Sequence, residues 1–116
     1  MNRFREEVLR LDLGECSGSR AETPCDGPVA AHHAIRQQTL RAHISSLELT
    51  DEQRWDWLWA PDVGTLLCDR HHSRHHTRTE RVPLEWIPAR VVDWCKDRDV
   101  LHLLEREHPP LSTVSD

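Results

Sequence analysis

Four residues, Cys16, Cys25, Cys68 and His71, constrain this chain more than anything else in it. A tetrahedral structural zinc takes four Cys or His ligands, usually offered as two close pairs. Cys16 and Cys25 form one pair across "GECSGSRAETPCDGP", a looped knuckle rich in Gly, Ser and Pro. Cys68 and His71, in C-x2-H spacing, form the other. With no secretory signal in view, a reducing compartment is expected, and there such cysteines read as metal ligands before disulfides. Size argues the same way. A chain of 116 residues buries roughly two-thirds of its unfolded surface. Only 37% of it is hydrophobic, so a structural metal would add stability that the core alone supplies poorly.

The patterning predicts an α+β domain over residues 1–109 with a frayed tail at 110–116. Phe4, Val8 and Leu11 fall at helical spacing within residues 2–12. "VAAHHAI" (29–35) and "GTLLC" (64–68) are short strand candidates. Thr50 and Gln53 fit a capping box that opens a helix running through Trp59, with Pro61 ending it. The histidine run begins another helix, bounded by Pro83, and one or two closing helices follow Pro88. Trp55, Trp57 and Trp59 are expected in core packing rather than in base stacking. Cys95 reads as a buried small hydrophobe. No stretch approaches the ~20 apolar residues of a membrane span.

"LCDRHHSRHH" (67–76) carries four of the chain's nine histidines. Once His71 is assigned to the zinc, His32, His33, His72, His75 and His76 remain. His72 and His76, at i and i+4, share a helix face as two imidazoles offered to one ion do, so a second metal site is available. A lone histidine is usually just solvated; His43, His102 and His108 lack such company and are expected at the surface or partly packed. The H-E-x-x-H metalloprotease pattern is absent. So are the zinc deaminase pattern H-x-E with P-C-x-x-C and the close cysteine spacing of a C2H2 finger.

Read together, "C…C…AHHAI…TLLCDRHHSRHH" resembles the HNH, or ββα-metal, endonucleases, above all the small HNH proteins of phages and actinobacterial genomes. The resemblance covers about residues 3–107. It implies a small zinc-stabilised ββα-metal core with flanking helices. It implies that His33 is the general base, that His32, His72 and His76 hold a catalytic divalent ion, and that Cys16, Cys25, Cys68 and His71 hold structural zinc. His75 has no implied role. The family's middle Asn, which helps hold the base histidine, falls at Val63, flanked by Asp62 and Gly64.

The residues suit phosphodiester hydrolysis in their own right. An aligned water needs a base with a near-neutral pKa, which histidine supplies, and the phosphate needs a cation such as Mg2+, Mn2+, Ni2+ or Zn2+. The formal charge of −5 gives no global pull toward nucleic acid. Yet four arginines (70, 74, 78, 81) face one acid between residues 70 and 81, and fourteen of the fifteen basic residues are arginine. Arg36, Arg70, Arg74 and Arg78 are candidate DNA-backbone contacts, the last three spaced by four as on one side of a helix. The expected function is metal-dependent DNA cleavage with low sequence specificity, in the cytoplasm, or the host cytoplasm if phage-encoded. The resemblance also implies a terminase or other DNA-processing partner, as in DNA packaging. The alternatives are a catalytically degenerate zinc module that binds DNA or a protein partner, and a structural protein whose histidines only stabilise it.

Overall fold

The two apolar strand candidates pair, and their register sorts the histidines. The computed structural model describes residues 3–111. In it β1 (Val29–His33) runs antiparallel to β2 (Gly64–Cys68), with Val29 opposite Cys68 and His33 opposite Gly64. Side chains alternate along a strand. Leu66 and His33 therefore share the face that meets Phe4, while Leu67 and His32 share the other. The strand expected over 29–35 stops at His33. One more bond, Ala34 N–H to the Val63 carbonyl at 2.8 Å, carries the pairing a step further.

Six α-helices surround this sheet among the described residues: α1 (Arg3–Leu11), α2 (Gln37–Ile44), α3 (Asp51–Trp59), α4 (Asp69–His76), α5 (Ala89–Asp97) and α6 (Leu101–Glu107). Phe4 and Val8, one turn apart, bury against Leu66. They lie so close that a Cβ on Gly64 would sit 2.5 Å from the Phe4 ring and 2.7 Å from Val8. Leu11, the third mark of that stripe and the last residue of α1, is exposed. Instead Asp12 receives Arg90 of α5 at 2.7 Å, and Arg90 also donates to the Pro61 and Gly64 carbonyls.

The capping box forms: Thr50 Oγ1 accepts from the Gln53 N–H, and the Gln53 side chain accepts from the Thr50 N–H. The tryptophan expectation holds for two of three. Trp57 packs on Trp94, and Trp59 packs edge-on against Phe4 and His33. Trp55 is 65% exposed. Three side chains spaced by two spread around a helix, and α3 buries no residue fully. The segment between β1 and α3 is not a plain loop: Leu40 and Ile44, one turn apart, bury α2 against the core.

The main core joins Ile35, Leu40, Val63, Leu67, Val91, Cys95, Val100 and Leu104, with Cys95 fully buried as expected. Of the expected tail, Leu111 donates its N–H to Glu85, and residues 112–116 lie outside the described residues, as do 1 and 2. No described helix is long and apolar enough to cross a membrane.

Candidate metal centre

Cys16 follows α1, Cys25 closes the knuckle, Cys68 ends β2, and His71 sits in the first turn of α4. Their ligand atoms all lie within 4.8 Å of one another. His71 Nδ1 is 3.6 Å from Cys16 Sγ, 3.5 Å from Cys25 Sγ and 3.1 Å from Cys68 Sγ. Tetrahedral zinc with Zn–S near 2.3 Å and Zn–N near 2.05 Å sets S···N at about 3.6 Å. Two distances match and the third needs a shift of about half an ångström.

The surroundings fit a cation equally well. His71 Nε2 donates to the Thr23 carbonyl at 2.8 Å, which leaves the lone pair on Nδ1, facing the sulfurs. The backbone N–H groups of Gly18 and Cys68 both donate to Cys16 Sγ at 3.2 Å, and the His71 N–H donates to Cys68 Sγ. Such donors stabilise thiolates. Without a cation the thiols oppose one another's ionisation. Burial and the neighbouring thiols push Cys16 up and Cys25 up to about 12. Burial acts against Cys68 as well, but the N–H groups of His71 and Asp26 and the His71 ring outweigh it and bring that thiol to about 7. A divalent ion resolves this conflict, and the four residues are positioned to bind one. The knuckle is anchored for the purpose. Ser17 N–H donates to the Leu66 carbonyl, and Asp69 and Arg70 N–H donate to the Pro28 and Asp26 carbonyls. Gly18 passes so near the His71 ring that a Cβ would lie 2.7 Å from its Cγ.

Further along α4 lies a second gathering. The His32 ring is 5.1 Å from that of His72, and His72 is 5.5 Å from His76. These are the three residues expected to hold the catalytic ion. His72 is half-buried and His76 exposed. On its inner side His32 also meets His75 and His108, with centroids 5.7 and 5.8 Å away. Those three offer ring nitrogens within 4.8 Å of one another.

His108, expected at or near the surface, is fully buried. It follows α6, which folds back so that its ring stacks on His75 at 4.4 Å. Val82 clasps both rings: its N–H donates to His75 Nδ1 and its carbonyl accepts from His108 Nδ1–H. Burial, with neighbouring histidines adding to it, drives His32 well below the usual imidazole range and His75 to about 3. Burial, opposed by the Val82 and Ala34 carbonyls, leaves His108 at about 4. Burial and His76 lower His72. These imidazoles are neutral, the form that binds metal.

His33 faces away from this cluster. Its ring stacks on Phe4 at 4.5 Å and donates through Nε2 to the Leu58 carbonyl at 2.8 Å. A carbonyl only accepts, so Nε2 holds the proton and Nδ1 the lone pair. Burial lowers its pKa, against the Leu58 carbonyl. It opens on a cleft of about 490 Å3 with Phe4, Arg5, Gln37, Trp59 and Asp69. Val63 is buried in the core, and its carbonyl ties the residue after His33. Backbone groups at Leu58 and Val63 thus anchor this corner, while Asp62 lines a different cleft, with Trp57, Trp94 and Arg98.

The arginines are less free than their sequence suggests. Arg70 pairs with Asp26 at 3.1 Å, Arg74 with Glu80 at 3.0 Å and Arg36 with Glu107 at 3.4 Å. Arg78 does not share a helix side with Arg70 and Arg74: α4 ends at His76, and Arg78 adopts a left-handed φ of 64° beyond it.

No family model, curated protein or solved structure matches the chain. Two features around the histidines had no signal in the sequence pattern, the Leu58 carbonyl and the Val82 clasp, because both are backbone groups. His108 had one weak signal, its place after an apolar helix.

Proposed function

We propose that this chain is a metal-dependent DNA endonuclease of the ββα-metal type, with β1, β2 and α4 as its core. The observation that carries the reading is the split of the His32–His33 pair. One imidazole lies against His72 of α4, and its neighbour is held in a single tautomer by Leu58 with a lone pair on Nδ1. In this reading His33 Nδ1 takes the proton from the water that attacks phosphorus, the bond from phosphorus to the leaving oxygen breaks, and the phosphate spans the end of β1, because His33 and the ion's ligands lie on opposite faces of the sheet. His32, His72 and His76 would hold a divalent ion, which supplies charge stabilisation at the phosphate and leaving oxygen. The knuckle fixes the β2–α4 junction, so the spacing of His32 from His72 is set before substrate arrives. The role the family gives an Asn at the Val63 position falls here to backbone carbonyls.

Incubation with supercoiled plasmid and Mg2+, Mn2+, Ni2+ or Zn2+ tests this. Relaxed and linear forms are expected, and their absence with every ion would end the proposal. A second reading, a zinc module that binds DNA or a protein partner without cleaving, draws on the paired arginines and on Val63. It predicts DNA retention or partner capture without nicking.

A further inference from the structure

We propose that His32, His75 and His108 form an inner metal site, distinct from the outer pair His72 and His76 and competing with it for His32. Three separate segments (β1, α4 and the turn after α6) bring these rings together, with a nitrogen of each within 4.8 Å of the others. The decisive feature is a pair of orphans. Nε2 of His32 and Nε2 of His108 are both buried and neither makes a geometric hydrogen bond, although the Ala34 carbonyl lies near the His108 ring. Buried polar atoms without partners are rare and costly. On His108 Nδ1–H donates to the Val82 carbonyl, so in the neutral ring Nε2 carries the lone pair. A ring nitrogen so fixed by a backbone carbonyl is the usual arrangement of a metal-binding histidine.

His75 completes the set by turning its ring. As it stands, Nδ1 accepts from the Val82 N–H, so Nε2 bears the proton. Turning exchanges that bond for one to the ion. Three neutral imidazoles select a borderline ion such as Zn2+, Co2+ or Ni2+, or Cd2+ as a probe, over the oxygen-seeking Mg2+. Tetrahedral Zn–N bonds near 2.05 Å set N···N at about 3.3 Å, so the rings, whose nitrogens lie within 4.8 Å of one another, must close in on the ion as it binds.

A neutral imidazole has one lone pair, so His32 serves one ion at a time. An ion held inward, among residues at most a few per cent exposed at His75 and His108, is sealed from substrate. An ion held outward with His72 and His76 faces solvent. The competition rests on the endonuclease reading of the outer site, whereas the inner site itself does not.

The test uses 113Cd NMR on the full chain, which separates a sulfur-rich site from a nitrogen-only one. A His72→Ala/His76→Ala variant removes the outer pair, and thermal unfolding confirms that it folds. The expected result is two bound Cd2+, one in the thiolate knuckle and one in an all-nitrogen site. Adding His108→Gln should remove the second signal and leave the first. A double variant that binds a single ion would overturn the inner site. So would a second signal that survives His108→Gln. Nicking of plasmid by the parent protein is read separately, so failure of the nuclease proposal leaves this result standing.

Discussion

At the knuckle, three thiols and one imidazole come together with ligand atoms positioned for one metal ion, with N–H donors aimed at the sulfurs and the His71 tautomer fixed by Thr23. Further along α4, His32, His72, His75, His76 and His108 crowd together with more rings than one ion needs, and two of their nitrogens make no geometric hydrogen bond. The first site is a closed shell that holds a loop, a strand end and a helix start in one geometry. The second is open on one side at His76 and sealed on the other at His108. Closed four-ligand shells serve folding, and sites with spare positions serve exchange and chemistry.

The largest effect should come from breaking the closed shell. Cys68→Ser removes a ligand that also caps α4, so zinc and cooperative unfolding should be lost together. Structural zinc contributes on the order of 10 kcal/mol in small domains. Elemental analysis beside thermal denaturation reads this out. A Cys68→Ser protein that melts like the parent would show that the knuckle holds no structural ion.

The next effect belongs to the open site. His33→Ala should keep knuckle zinc, fold and DNA affinity while cleavage falls by about 10²–10⁴-fold, the usual loss of a general base. His72→Ala should abolish cleavage together with binding of the outer ion. Plasmid nicking with metal titration separates the two variants. Equal rates for His33→Ala and the parent would remove His33 from the mechanism.

A subtler change probes the knuckle without touching a ligand. Gly18→Ala places a methyl 2.7 Å from the His71 ring, which Thr23 holds from behind. We expect a loss of about 1–3 kcal/mol and faster zinc release to a chelator, with unchanged nicking per zinc-loaded molecule. Unchanged zinc retention would mean that the loop yields freely and the shell is not rigid.

The smallest effects lie on the surface of α4. The Arg70–Asp26 pair is exposed, so Arg70→Ala should change stability by less than about 0.5 kcal/mol. If this side meets the phosphate backbone, each arginine removed should flatten the salt dependence of DNA binding by about one unit of slope. An unchanged slope in Arg70→Ala/Arg74→Ala would place the DNA elsewhere.

The contrast between the sites also explains what could be read from the sequence. Cys68 and His71 are three residues apart and His72 and His76 four, so local spacing exposed them. The capping box at Thr50 and the apolar "GTLLC" strand were legible for the same reason. His108 was not, beyond its place after an apolar helix, since its burial depends on the turn after α6 stacking it on His75 of α4, a contact between distant segments. Trp55 was misplaced because the core-packing expectation took the three tryptophans as one set, whereas their helix offers only Trp57 and Trp59 to the rest of the fold. The α2 helix was missed although Leu40 and Ile44 carry a helical spacing. Two apolar marks are too short a signal against a polar stretch.

Native mass spectrometry paired with plasmid nicking asks whether one metal site holds the fold while the other supports cleavage. The protein is treated with EDTA, weighed, assayed, then resupplied with a divalent ion and assayed again. One zinc should stay bound, the fold should persist, nicking should stop, and nicking should return with the added ion. Loss of both ions with unfolding, or nicking that continues with only the knuckle zinc present, would contradict this division of roles.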